Sequence, residues 1–147
     1  MIEIANKLGI ALFLVIFSTA LYMTTADWIR GKNMRRSTVV ELREVLRKLP
    51  FSESATISKS FDKDVSVAVS AKLATPLPLG EVVATFKSEM PESGWLLTDE
   101  RDHPYVSLTY CRDGVAAVIE PTPAEQGTTA YMTVKWTYQT GSPDYCA

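Results

Sequence analysis

The chain has 147 residues, one histidine, two cysteines and a formal net charge of -2. That total hides a division, because residues 28–49 carry seven Lys or Arg against two Glu, whereas residues 50–147 carry seven against thirteen Asp or Glu. The acidic C-terminal part argues against nucleic acid as a partner, which would need a basic footprint, and Gly-rich phosphate loops and CxxC pairs are absent.

Residues 8–26, LGIALFLVIFSTALYMTTA, hold no charge between Lys7 and Asp27. As a helix they would be about 28 Å long, close to the hydrocarbon thickness of a bilayer. A surface helix shows an apolar stripe and not an apolar sleeve, so the run predicts a transmembrane helix, with the lipid bilayer as one partner. It exceeds a signal-peptide core of about 7 to 15 residues, and Glu3 precedes it, so an uncleaved anchor over 1–27 is expected, although residues 24–26 form a weak cleavage site. Trp28, Arg30, Lys32, Arg35 and Arg36 form an interfacial aromatic and a basic collar suited to anionic headgroups at the membrane surface.

Residues 28–50 continue the collar into a helix. Thr38 and Glu41 have capping-box spacing, and Val39, Leu42, Leu46 and Leu49 recur at helical period until Pro50. The stripe is expected to pack on the globular domain, with the membrane interface as the other option.

Residues 51–147 read as the domain. Ala55, Ile57 and Phe61 alternate with polar residues, residues 62–64 make a polar turn, and Val65, Val67, Val69, Ala71 and Leu73 alternate again until Pro76 and Pro78. Val82, Val83, Phe86 and Met90 share one helix face before Pro91 and Gly94. A short strand begins near Trp95 and gives way to a charged turn from Asp99 to Pro104. Tyr105 opens the next strand, Asp113-Gly114 is a two-residue hairpin signal, residues 121–127 read as a loop, and the last strand begins at Thr129. The order predicts a two-layer α+β domain, with an antiparallel sheet of about five strands and one or two packed helices.

That meander returns the C-terminal tail to the turn end of the strand bearing Cys111, so Cys111 and Cys146 are expected to pair in a disulfide, which persists only in an oxidising compartment. The collar points the other way, toward a cytoplasmic C-terminus, but a long domain is translocated despite flanking charge. The expectation is a single-pass protein of the inner membrane with a periplasmic or extracellular domain.

Chemistry is sparse. His103 beside Asp99, Glu100 and Asp102 is a weak metal candidate, too poor in convergent ligands to build on, and no base lies near Cys111 or a serine for nucleophilic catalysis. No catalytic residue, metal or cofactor is assigned. Tyr105, Thr109, Tyr131, Thr133 and Lys135 alternate with core positions and form a Tyr/Thr surface of the kind that protein partners use. The function expected is a non-catalytic, membrane-anchored protein-binding module of the bacterial envelope, either an immunity protein or an accessory subunit of an envelope complex. The alternatives are a small envelope hydrolase or metal-dependent enzyme centred on His103, and a cytoplasm-facing lipid-binding protein.

Overall fold

The computed structural model describes residues 15–19, 21–22, 35–138 and 146, in two units that divide between Arg35 and Arg36. In the first unit the described residues are helical. Positions 15–19 are all exposed, with Val15, Ile16 and Phe17 between 57% and 60%. At about 100° per residue these five positions pass every side of the helix, so its apolar surface is uncovered all round. The Ser18 and Thr19 hydroxyls donate back to the Val15 and Ile16 carbonyls at 3.0 and 2.9 Å, which satisfies them without water. Among the described residues no helix is long and apolar enough to cross a membrane; most of the expected span, with Trp28, Arg30 and Lys32, lies outside them.

In the second unit, α1 covers Val39–Leu46. Thr38 caps it by accepting from the Glu41 amide at 3.2 Å, while the Glu41 carboxylate accepts from the Thr38 amide at 2.8 Å, so two otherwise orphaned N–H groups are satisfied. Leu42, Leu46 and Leu49 are buried in the domain core, so the stripe faces the sheet. The chain tightens after Leu46 through Lys48 N–H to the Val45 carbonyl and Leu49 N–H to the Leu46 carbonyl. It then turns at Phe51, whose φ of 61° is left-handed. Such a residue is strained, and Phe51 is held by its ring packing edge-on to Phe86 at 5.4 Å.

The sheet has six strands, β1 (Ala55–Lys63), β2 (Ser66–Thr75), β3 (Leu96–Arg101), β4 (Ser107–Arg112), β5 (Val115–Ala124) and β6 (Gly127–Thr137), with α2 (Leu79–Glu92) between β2 and β3. All neighbours are antiparallel in the order β1-β2-β6-β5-β4-β3. The two-layer expectation holds in its coarse form, an antiparallel sheet with packed helices, and the sheet has one strand more than the five expected. Gly94, at a φ of 81°, ends α2 with its amide donating to the Pro91 carbonyl, while the Trp95 amide reaches the Met90 carbonyl. This is the left-handed stop that a glycine just past a helix favours.

Three expected boundaries are corrected. Residues 121–127 are not a loop: β5 runs on through Pro121 and Pro123, opposite Ala130 and Thr128, and only Glu125 and Gln126 turn. Pairing with β4 has ended by then at Leu108–Ile119, so β5 is an edge there and has no ladder bond for the prolines to break. The charged turn likewise starts late, because Asp99, Glu100 and Arg101 belong to β3 and pair with Thr109, Leu108 and Ser107. Between β1 and β2 the strand absorbs Asp62 and Lys63, and the turn is Asp64-Val65.

Register sorts the side chains onto two faces. Val67, Val69, Ala71 and Leu73 of β2, Ala130, Met132, Val134 and Trp136 of β6, and Ala117 and Ile119 of β5 form one buried cluster with Leu108 and Tyr110 of β4 and with Val82, Phe86 and Met90 of α2. Both helices therefore lie on the same face. The opposite face has no described helix over it.

Candidate interaction surface

The face without a described helix, here the uncovered face, is built from the alternate residues of the same strands; it is open on β1 and β2, whereas Ala116 of β5 and Thr109 of β4 on it are buried. Phe61 of β1 stands opposite Ala68, Ala68 opposite Lys135, Lys135 opposite Ala116, Ala116 opposite Cys111 and Cys111 opposite Leu96, one row across all six strands. The next row holds Lys59, Ser70, Thr133, Val118, Thr109 and Asp99, and a third holds Thr56, Lys72, Tyr131 and Glu120. A bulge at Ser58 decides who belongs. Ile57 and Phe61 share a side by simple alternation, but the register shift between Ile57 and Lys59 sends Phe61 to the uncovered face and leaves Ile57 opposite core Ala71.

Of the residues expected to contact a partner, Thr109, Tyr131, Thr133 and Lys135 lie together on this face. Tyr131 is the most open of them at 45%, Thr133 and Lys135 are half-buried, and Thr109 is buried at 2%. The Thr133 hydroxyl is engaged with Ser70 across the strands at 2.9 Å. Tyr105 is exposed in the loop ahead of β4 and has no place in the rows. Alternation alone missed Lys59, Phe61, Lys63 and Lys72, all exposed. The parity of Lys72 against Val69, Ala71 and Leu73 was a readable signal; that of Phe61 was scrambled by the bulge.

Cys111 and Cys146 are joined by a disulfide, with Cα atoms 5.5 Å apart. The bond lies on the uncovered face, where the Thr98 hydroxyl is 3.6 Å from the Cys111 sulfur. Within the collar, Arg35 is exposed, while Arg36 pairs with Asp62 and donates to the Lys63 carbonyl at 3.2 Å. The Arg36 guanidinium thus holds the end of β1.

His103 is exposed in the loop between β3 and β4, beside exposed Asp102. Asp99 accepts from Arg101 Nε at 2.7 Å, and Glu100 pairs with Lys87 of α2. Among the described residues no three His, Cys, Asp or Glu side chains are placed to share a metal ion.

Among the described residues, two side-chain polar groups are buried without a partner on the helix-covered face. Tyr110 is fully buried, and its hydroxyl, like the indole N–H of Trp136, has no hydrogen-bond partner among the described residues. Burial, with the Glu100 charge added, pushes the Tyr110 phenol up to about 12. The unfolded chain ionises this group near 10, so its contribution is intact below pH 10 and fades as pH rises to 12, a loss of about 3 kcal/mol. Tyr110→Phe is expected to flatten that alkaline decline in urea titrations at pH 9 to 12. At pH 7 the same change should leave stability equal or raise it by about 1 kcal/mol, because an unpartnered buried hydroxyl is removed. A loss above about 1 kcal/mol at pH 7 would show that the hydroxyl is bonded.

Set beside known protein families, curated proteins and solved structures, the chain matches none.

Proposed function

We propose that this chain is a non-catalytic, single-pass membrane-anchored protein-binding module of the bacterial envelope, an immunity protein or an accessory subunit of an envelope complex. The observation that carries the reading is the sheet face turned away from the helices, where Phe61 and Tyr131 stand 46% and 45% exposed, two rows apart with the Lys59, Ser70 and Thr133 row between them, and no described helix covers them. Exposed aromatic side chains on a rigid sheet supply contact area at little entropic cost, which suits partner recognition. The exposed Val15, Ile16, Phe17 and Leu21 side chains support anchoring, and the Cys111–Cys146 bridge supports an oxidising, outward-facing location. The exposed position of His103, with Asp99 drawn to Arg101, gives the hydrolase reading no enclosed site to work in.

A photoreactive phenylalanine analogue placed at Tyr131 in intact cells tests this reading. The expected result is one discrete protein adduct, absent when the analogue replaces Val40, which is 68% exposed on α1. No adduct at Tyr131, or the same adducts at both positions, would overturn it.

A further inference from the structure

The domain is acidic, yet its cations are not dispersed. Four of the seven Lys or Arg in residues 50–147, namely Lys59, Lys63, Lys72 and Lys135, stand on the uncovered face of the three adjacent strands β1, β2 and β6. Among the described residues no acidic side chain of β1, β2 or β6 shares that part of the face. The one acid in those strands, Asp62, points to the helix side opposite Val67 and is held by Arg36. Strand spacing makes this area about 10 Å across and about 20 Å long. Two aromatic side chains lie inside it: Phe61, with the Lys63 ammonium 5.2 Å from its ring centroid, and Tyr131, opposite Lys72.

We infer that this half of the sheet is the docking surface for an acidic segment of a partner protein, a stretch with several Asp or Glu side chains and an apolar residue to meet Phe61 and Tyr131. The inference rests on the protein-binding reading above and adds the chemistry of the partner. Charge complementarity favours an anionic occupant, and the rim limits its size. Asp64 closes the area at the β1–β2 turn, Glu120 stands opposite Tyr131 on the β5 side, and Asp99 lies further along on β3. Asp99 stands three strands from β6, whereas a plane of anionic headgroups or a long polyphosphate laid on this face would meet Asp64 and Glu120 at its edges, within a Debye length of about 8 Å. A short acidic segment fits inside them. The lysines choose and steer the partner, while the aromatic side chains supply most of the affinity, since exposed ion pairs contribute little by themselves.

The test uses the full-length protein in neutral detergent and a fluorescent ten-residue peptide of Glu with one central Leu. Controls are the same peptide with Gln for Glu, an oligothymidylate, and vesicles containing phosphatidylglycerol. The Glu peptide should bind at least tenfold tighter than the Gln peptide. The double variant Lys59→Glu/Lys72→Glu should weaken it at least tenfold, Lys59→Gln/Lys72→Gln by less, and Lys87→Glu on α2 not at all. Equal binding of the two peptides, equal weakening by Lys87→Glu, or vesicles or oligothymidylate binding through the same lysines more tightly than the peptide would overturn the proposal. The adduct at Tyr131 separates the two readings. If it forms in the unaltered protein and survives the Lys59→Glu/Lys72→Glu change, the acidic partner is wrong and the protein-binding surface stands. If the unaltered protein forms none, the surface itself is wrong.

Discussion

Replacing Cys146 by Ser should lower the stability of the domain by about 4 kcal/mol. The bridge joins positions 35 apart in sequence, and closing a loop of that size removes about this much free energy of chain entropy from the unfolded state. For a unit of this size the melting temperature should fall by roughly 15 °C. Cys111→Ser should cost a similar amount, and the double variant no more than the larger single, because either change abolishes the same bond. A double variant that loses twice as much would mean that each side chain contributes through packing and not through the bond. The same chemistry reports location. Maleimide added to intact cells before lysis should leave both cysteines unmodified until a reductant is supplied. Labelling of both without reductant would place the domain in a reducing compartment and remove the outward-facing topology.

What the sequence made legible was local or strictly periodic. Thr38 and Glu41 announce their cap because both partners lie within one turn, and Asp113-Gly114 takes φ values of 51° and 76° because that pair tolerates them in a two-residue hairpin. The burial of Met132, Val134 and Trp136 followed from alternation, and the approach of Cys146 to Cys111 from the direction of each strand in the meander. What escaped depends on pairing between distant segments. The insertion of β6 between β2 and β5 sets Lys72 beside Tyr131 and Ala68 beside Lys135, and no local signal marks it. The bulges at Ser58 and Thr98 shift the parity of every residue beyond them, so Phe61 reads as core by period and stands exposed. Pro121 and Pro123 mimic a loop because a strand tolerates them only where it has lost a neighbour, which is a fact about β4 and not about β5. The lysine-rich half of the face was hidden for the same reason: its members come from three strands that only the fold makes adjacent.

Gly127→Ala is expected to be at least as telling about that adjacency, with a loss of about 3 kcal/mol or more. Gly127 opens β6 at a φ of 111°, which L side chains rarely adopt, and a Cβ there would stand 2.2 Å from the Thr75 carbonyl oxygen and 2.6 Å from the Pro76 backbone. Those atoms are main chain at the end of β2, so no side-chain rotation relieves the contact. Two ladders meet here, since Thr128 pairs with Thr75 on one side and Pro123 on the other, and the Thr128 hydroxyl donates to the Leu77 carbonyl at 2.8 Å. A methyl group must therefore push β6 away from β2, along the seam that carries Lys72 beside Tyr131 and Ala68 beside Lys135. Urea denaturation should show the stability loss. Amide exchange should show early loss of protection for the residues of β2 and β6 nearest Thr75, spreading toward Lys72 before it reaches β4. An Ala variant that melts within about 1 kcal/mol of the unaltered protein, with protection intact on both strands, would mean that the β2–β6 seam has slack at this end. The positions of the four lysines would then be less rigidly fixed than the shared register requires.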